Sequence, residues 1–564
     1  MRGFGNTPRR ERIAMKSRIS FVKYIFLIFL LLLAGKVFAI QKLTGDEYSQ
    51  AAAAQRLRST KIYTERGDIL DRNGIKFTGR ENQCIAVIQP AELLKDASAM
   101  KRASELLCKP VNELEDTAAK SYLPYAVTVS DEQADAITDA GINGLSIVEV
   151  PVRNSHETLA AHIIGYVDEK GEEGLSGIEK AYQKTLHSGG ALYAGILADA
   201  GNSAMEQFGY RIWGTTGENR LNVRTTLDYH MQEIVEETLD RMVDRGAVVI
   251  VDILSGDVLA MASRPSFNPA DVRSALNDES QPLFNRALGE YTPGSVFKIV
   301  TAAAALEKGI SPETTFDCPG YVRIGDLVMK CWNYDEGGHG TLDMGQAFAQ
   351  SCNSYFIQLG QMIGKNEIIA MAEKLGFGKK TGLYLQGLDE PYGLLPNTMG
   401  YSSPAEVANL SIGQGELLIS PLQAARTVSA IANGGILNRI SIIDCIVNDR
   451  GERIRNIKSQ AWERVLKKDT AETLHRMMMM TVRDGTGKLA DIRGFGGSAG
   501  KTGSAETGWV QDDRDILHAW FVGYFPVNNP RYAMCVFIED GTSGGKSAAP
   551  VFAEISARIL DLGY

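Results

Sequence analysis

Ser295 and Lys298 stand three residues apart in Tyr-Thr-Pro-Gly-Ser-Val-Phe-Lys-Ile-Val, where an apolar run begins. A serine hydroxyl is a weak nucleophile until a base takes its proton, and a lysine can act as that base only when neutral. Burial, a second cation nearby and a helix N-terminus all lower a lysine pKa. Two further motifs follow in order, Ser351-Cys352-Asn353 and Lys501-Thr502-Gly503. Ser351 offers a hydroxyl that can relay a proton, and Asn353 an amide that can orient a substrate peptide bond. Lys501 offers a cation for a substrate carboxylate, and Gly503 leaves room for a ligand backbone. The chemistry is nucleophilic acyl transfer without histidine.

Ser-x-x-Lys starts at Ser20, Ser98, Ser295, Ser498 and Ser543, so context has to choose among five. Ser20 lies in an apolar segment near the N-terminus, Ser98 in a polar helical stretch, and Ser498 and Ser543 in glycine-rich stretches expected to hold no helix. After Ser295 the run Ile299-Val300-Thr301, four alanines and Leu306 is apolar almost all round and stops at Gly309. A buried helix is predicted, with Ser295 and Lys298 on one face of its first turn. Ser351-Cys352-Asn353 falls between two helical patterns, Leu342 to Gln350 and Tyr355 to Ile363. Lys-Thr-Gly also occurs twice. Lys380-Thr381-Gly382 reads as a turn at a helix end. Lys501-Thr502-Gly503 opens a strand that pairs, across a polar turn at Gln511 to Asp515, with His518 to Tyr524.

Other signals fail on inspection. Gly500-Lys501-Thr502 lacks the leading glycine of a P-loop, since position 495 is Phe. Gly496 to Gly500 and Gly541 to Gly545 spell G-x-S-x-G without a strand-elbow-helix setting. His518 begins a strand, which argues against a Ser-His-Asp triad. No H-E-x-x-H and no paired Cys-x-x-Cys is present, so no metal is expected.

With these residues placed, the chain resembles a class B penicillin-binding protein. Arg66 to Gly74 is similar to the opening of that family's N-terminal module. Gly174-Leu175-Ser176-Gly177-Ile178-Glu179 and Thr225-Thr226-Leu227-Asp228 resemble later landmarks. Gly413-Gln414-Gly415, Ser420-Pro421-Leu422-Gln423 and Ala548 to Phe552 match the catalytic domain in the family's order. The middle residue of Ser-Cys-Asn departs from the Ser-Asp-Asn of class A β-lactamases. No glycosyltransferase domain and no C-terminal repeats are expected.

The predicted fold class is an α/β serine-transpeptidase domain, a mixed sheet flanked by helices, after an elongated, mostly β pedestal and one transmembrane helix. The expected boundaries are a basic cytoplasmic tail at 1–18, a signal-anchor at 19–40 and a linker at 41–60. A pedestal or dimerisation-type module follows at 61–215, and the transpeptidase domain at 220–564. The tail carries Arg2, Arg9, Arg10, Arg12, Lys16 and Arg18 against Glu11, which puts the N-terminus in the cytoplasm and the rest outside. A cleaved signal peptide ending near Val37-Phe38-Ala39 is the alternative. The net charge of −9 gives no hint of nucleic-acid binding. Seven cysteines form no framework, although Cys318 and Cys331 could pair and Cys352 reads as a packing residue.

The resemblance implies a peptidoglycan D,D-transpeptidase acting on D-Ala-D-Ala stem peptides and acylated by β-lactams. Ser295 is then the nucleophile, Lys298 the base and Ser351 a proton relay. Asn353, Lys501, Thr502, Gly503 and Ser504 bind substrate, with backbone N–H groups of Ser295 and Ser504 as the oxyanion hole. No cofactor is implied. Implied partners are the cytoplasmic membrane, a glycosyltransferase, other cell-wall-synthesis proteins and a second copy in a homodimer. Two alternatives stay open. One is a same-fold hydrolase, for which Glu406 is the candidate water-activating base; the other is a scaffold of a division or sporulation complex.

Overall fold

The computed structural model describes residues 9–42 and 57–564, apart from 156, 200–204, 206–208, 215–219, 384, 386, 400–401, 459 and 512–513. At 9–19, 39–42, 509–511 and 514–515 it describes the backbone alone. Residues 1–8 of the expected tail and 43–56 of the expected linker lie outside the described residues. A helix, Arg9–Lys42, carries the apolar stretch Ser20–Phe38, whose mean hydropathy is 2.2 and whose side chains are all exposed. At 1.5 Å per residue such a stretch reaches about 28 Å, close to the ~30 Å of a bilayer's hydrocarbon.

The chain divides into two compact units interleaved in sequence. One comprises Met1–Tyr63, Gln83–Val150 and Ala191–Thr215; the other comprises Thr64–Asn82, Pro151–Gly190 and Thr216–Tyr564. In the first, the strand Glu81–Ile88 lies between Tyr125–Val129 and Leu145–Val152. Three helices, Ala97–Leu106, Val111–Lys120 and Asp131–Ala140, share a core with this sheet through Ala86, Ile88, Met100, Leu114 and Ile137. Asp96 caps the first of them, and Ser130 with Gln133 forms a capping box on the last. A second three-stranded sheet joins Leu57–Thr64, Ala191–Leu197 and Arg211–Gly214. The strands of this unit thus come with a helical layer.

The second unit is organised on a five-stranded antiparallel sheet. Its order is Val258–Arg264, Gly246–Asp252, Tyr532–Ile538, Arg514–Phe525, Ala499–Gln511, so both ends of the domain contribute. Alternation sorts the side chains: Val248 and Ile250 pack with the helices Tyr229–Met242 and Ala549–Asp561, while Val249 and Val251 face the other core. That other core holds the helix Lys298–Glu307, eight of whose residues are buried, which is why nearly every position of the helix is apolar.

The early landmarks meet inside this unit. Ile69–Leu70 pairs in parallel with Leu221–Thr225. The Asp71 carboxylate accepts from Tyr229 N at 3.2 Å, and Asn73 Nδ2 donates to Asp228 at 3.2 Å. Arg66 and Arg153 both grip the fully buried Glu179, at 2.7 and 2.5 Å.

Candidate active site

Ser295 lies half-buried in a single 3-10 turn, Gly294–Phe297, that leads directly into Lys298–Glu307. Three glycines make that turn possible. Gly294 has φ +54, and a Cβ on it would fall 2.6 Å from the Ser504 carbonyl oxygen. Gly294 N donates to the Gly413 carbonyl oxygen at 3.0 Å, and a Cβ on Gly413 would sit 2.0 Å from Gly294 O. A Cβ on Gly503 would meet Val296 at 2.8 Å and Pro293 O at 2.9 Å. The space expected to admit a ligand backbone at Gly503 is therefore filled by the Ser295 turn itself. Its glycine is required by protein packing, and the same contact sets the strand's Ser504 beside the nucleophile turn.

Ser351 ends the helix Met344–Ala349 with φ +53, a left-handed backbone that is uncommon outside glycine and costs about 1–3 kcal/mol. Cys352 follows as the N-cap of Asn353–Ile363, its sulfur accepting from Tyr355 N at 3.4 Å. The two flanking helices are those the sequence predicts. Their junction presents Ser351 and Asn353 to two lysines. Lys298 Nζ donates to Ser351 O at 2.7 Å and to Asn353 Oδ1 at 2.6 Å, with the Ser351 hydroxyl at 3.4 Å. Lys501 Nζ donates to the same hydroxyl at 3.0 Å and to Thr502 O at 2.9 Å.

Both lysines are fully buried and, among the described residues, neither pairs with a carboxylate. Burial is the main cause that pulls Lys298 down to about 8, against an upward pull from Cys352 and Cys331. Burial and then repulsion from Lys298 hold Lys501 well below the ordinary lysine range. Two ammonium groups on one hydroxyl, without a counter-ion, favour loss of a proton from the pair. Because Asn353 Oδ1 is taken by Lys298, its NH2 is the end left for a substrate carbonyl.

One contributor had no motif to mark it. Thr486 Oγ1 lies 2.6 Å from Thr502 Oγ1, and Thr486 N donates to Ala349 O at 3.0 Å. It joins the Lys-Thr-Gly strand to the helix before Ser351. Flanking glycines were the available signal: a Cβ on Gly485 would strike Ala349 O at 2.1 Å. Ser504 turns its hydroxyl to accept from Gly544 N at 3.2 Å. Among the described residues none is hydrogen-bonded to the Ser295 hydroxyl.

The rejected candidates lie elsewhere or are otherwise engaged. Thr381 N donates to Glu390, and Lys380 lies over the Tyr392 ring. His518 packs edge-on against Tyr291 and Phe537. Ser98 is exposed on the first turn of the helix that Asp96 caps, and Ser498 donates to Ala490 O at 2.5 Å. Ser543 caps a π-helical turn, Gly544–Ala548, so the expectation that glycine forbids helix there is corrected: the wide turn needs the small residues. Gly544 shows why, since a Cβ on it would lie 2.4 Å from Gly503 O. Glu406 is exposed, closes the Ser403 capping box and pairs with Lys365 at 3.5 Å. Cys318 and Cys331 are free thiols, not a disulfide.

Residues 246–557 match the penicillin-binding protein transpeptidase domain. The chain belongs to that family. Residues 61–193 also match the penicillin-binding protein dimerisation domain. Stage V sporulation protein D of Bacillus subtilis is 28% identical, with 98% of this chain and 86% of that protein covered. Peptidoglycan D,D-transpeptidase MrdA of Acinetobacter baumannii is also 28% identical, over 96% of this chain and 88% of the relative. A structure titled as structural coordination of polymerization and crosslinking by a peptidoglycan synthase complex aligns at 26% identity and TM-score 0.71, covering 97% of this chain and 98% of the other. Penicillin-binding protein 3 of Mycobacterium tuberculosis, complexed with ampicillin, aligns at 25% identity and TM-score 0.62, over 90% and 96%.

Proposed function

We propose that this penicillin-binding protein is a peptidoglycan D,D-transpeptidase working through a Ser295 acyl-enzyme. The observation that carries the reading is the convergence of two buried lysines, Lys298 and Lys501, on the single hydroxyl of Ser351 without a carboxylate. Lys298, neutral, takes the Ser295 proton as the hydroxyl attacks the penultimate carbonyl of a D-Ala-D-Ala stem. Asn353 holds the peptide through its amide NH2. Lys501 and Thr502 bind the terminal carboxylate, and Ser351 passes a proton to the departing D-alanine. Backbone N–H groups of Ser295 and Ser504 face the oxyanion, each donor contributing about 3–4 kcal/mol as in other acyl transferases. An amine from a neighbouring stem then takes the acyl group, and Ser295 recovers its proton.

A hydrolase needs a base aimed at water, and the position of Glu406 in a surface cap supports transfer over hydrolysis. The apolar helix supports a single-pass anchor with the catalytic unit outside the cytoplasmic membrane. We extend the reading to a pedestal over 61–215 and a transpeptidase domain over 220–564, boundaries supported by the two family matches. The dimerisation match supports a homodimer, and the likeness to a synthase complex supports work beside a glycosyltransferase.

The test follows intact mass of the detergent-solubilised full-length chain over hours with a β-lactam. A lasting adduct on Ser295, absent in Ser295→Ala, is the expected outcome. An adduct that is released with continued antibiotic turnover would instead assign a hydrolase.

A further inference from the structure

The residues that lead into the nucleophile turn are tied to their surroundings at Tyr291, Thr292 and Gly294. Tyr291 exchanges two backbone hydrogen bonds with Ile419, each at 2.9 Å. Trp520 Nε1 donates to Thr292 O at 3.2 Å, and Gly294 N donates to Gly413 O at 3.0 Å. A further tie runs through a side chain: the Tyr291 hydroxyl donates to Glu539 Oε1 at 3.1 Å. Glu539 directly follows the sheet strand Tyr532–Ile538. Its carboxylate is held in turn by Arg286 Nε at 3.0 Å and Arg245 Nε at 2.9 Å. Arg286 is fully buried and also donates to the carbonyls of Ser280 and Gln281, at 3.0 and 3.2 Å. The acceptor for Tyr291 is therefore a fixed one.

The ring of Tyr291 makes the second set of contacts. Its centroid lies 4.0 Å from Phe537, 5.4 Å from His518 and 6.3 Å from Trp520. Gly289 makes room for it, since a Cβ there would fall 2.7 Å from the ring. Trp520 stands opposite Gly503 in the sheet and His518 opposite Ala505, the two neighbours of Ser504. Residues directly opposite in an antiparallel pair share a face, so the aromatic cage brackets Ser504 along its strand. Tyr291 is also four residues before Ser295. One side chain thus touches the supports of both backbone N–H groups assigned to the oxyanion hole. Burial, and then Glu539, raise the phenol pKa above its ordinary 10, which keeps the hydroxyl a donor.

We propose that Tyr291 is a positioning residue: pinned by Glu539 and packed against Phe537, His518 and Trp520, it sets the spacing between the N–H groups of Ser295 and Ser504. An oxyanion donor contributes only where its N–H already points at the oxygen that gains charge. The bonds to Ile419 and Gly413 tie the turn to residues outside the sheet. The Glu539 and Trp520 bonds tie it to the sheet that carries Ser504. Serine placement matters here because among the described residues none is hydrogen-bonded to the Ser295 hydroxyl, so its aim comes from the backbone. The Tyr291 hydroxyl is occupied by Glu539 and acts on the reaction through that backbone. Its removal should therefore change how fast Ser295 reacts and leave the charge state of Lys298 alone.

This role rests on the reading of Ser295 as the nucleophile, and the experiment separates the two. Full-length protein in detergent is mixed rapidly with a chromogenic β-lactam, and binding and acylation are resolved as a dissociation constant and a rate. The series is repeated across the pH range of the Lys298 titration, with urea unfolding alongside. In Tyr291→Phe the acylation rate should fall at least about tenfold while the dissociation constant stays within about twofold. The midpoint of the pH profile should not move. Glu539→Gln keeps an oxygen for the Tyr291 hydroxyl and removes the charge between two arginines. It should unfold at lower urea yet retain at least about a third of the acylation rate in the molecules that fold. A purely structural role would give the opposite ranking, with the rate following the folded fraction in both variants. A Tyr291→Phe rate within about twofold of wild type, a loss confined to binding, or a moved pH midpoint would overturn the role. Absence of any Ser295 adduct in the wild type would overturn the nucleophile reading and this role with it.

Discussion

Two buried hubs in the second compact unit are built alike and behave differently. At one, Arg66 and Arg153 converge on Glu179; at the other, Lys298 and Lys501 converge on Ser351. Each hub draws its cations from distant parts of the sequence and lies almost out of reach of water. The first has a carboxylate at its centre and arginines, which stay charged, around it. The second has a neutral hydroxyl and lysines, which can lose a proton. Burial of cations next to an anion makes a joint; burial of cations next to a hydroxyl makes a base. The early landmark motifs in the sequence therefore belong to architecture, and the later ones to chemistry.

The largest effect should separate these roles. Lys298→Met removes the base, and acylation of Ser295 by a β-lactam should fall about 10³-fold, within the ~10²–10⁴ range of general base catalysis. The fold should not suffer, because the methionine replaces a cation buried without a counter-ion. Glu179→Gln should do the reverse, leaving two guanidinium groups in a dry site. A loss of about 3–5 kcal/mol in urea unfolding is expected, the usual size for breaking a buried pair from one side. Acylation by the molecules still folded should be close to wild type. Equal effects of both variants on both measurements would erase the distinction between the hubs.

Exchanging the centre sharpens it further. Ser351→Asp places a carboxylate between the lysines, and aspartate tolerates the left-handed backbone there better than most residues. Both amines should then stay charged, and acylation should fall about 10²-fold through loss of the neutral base. Retained acylation would mean that Lys298 does not act as a neutral amine.

The proton itself can be followed with pH. Lys298 is held at about 8 against an ordinary 10.5, chiefly by burial, with Lys501, Cys331 and Cys352 facing it. Well below pH 8 the neutral fraction falls tenfold per unit, and from one half at pH 8 it drops to about one hundredth at pH 6, so acylation at pH 6 should be about 50-fold slower than at pH 8. Stability carries the same signature. Between pH 8 and 10.5 the native state binds fewer protons than the unfolded chain, so stability rises with pH across that window. The contribution is complete above 10.5 and is lost as pH falls toward 8, about 3 kcal/mol in all. Lys298→Met should flatten this slope, as measured by urea unfolding at several pH values.

Legibility in the sequence followed the range of the interaction. The Ser295–Lys298 helix was readable because one run of neighbours, Ile299 to Leu306, is apolar on every face. The Lys501 hairpin was readable because alternation and a turn are local too. What joins the elements was not. Arg66 meets Glu179 across 113 residues, and nothing near either position names its partner. The cluster of Cys318, Cys331, His339 and Cys352 escaped for the same reason, its side chains being spread from 318 to 352 with no repeated short spacing. Gly503 was found for a reason the structure replaces: its missing side chain serves the Pro293 and Val296 contact, which only the folded chain brings to it.

Thr486 offers the finest test of the catalytic hub, because it touches neither lysine. Its hydroxyl meets Thr502 at 2.6 Å while its backbone holds Ala349 O, two residues before Ser351. Thr486→Val keeps the shape and deletes the hydroxyl's contacts to Thr502 and, at 3.4 Å, to Ala349 O, a change of about 1 kcal/mol. Acylation should slow about fivefold, with the midpoint of the pH profile unmoved, since the environment of Lys298 is intact. A shifted midpoint would show that Thr486 helps to set the charge state of the lysine pair. An unshifted one would assign it to positioning the Thr502 hydroxyl, which distinguishes a residue that aims the hub from the residues that charge it.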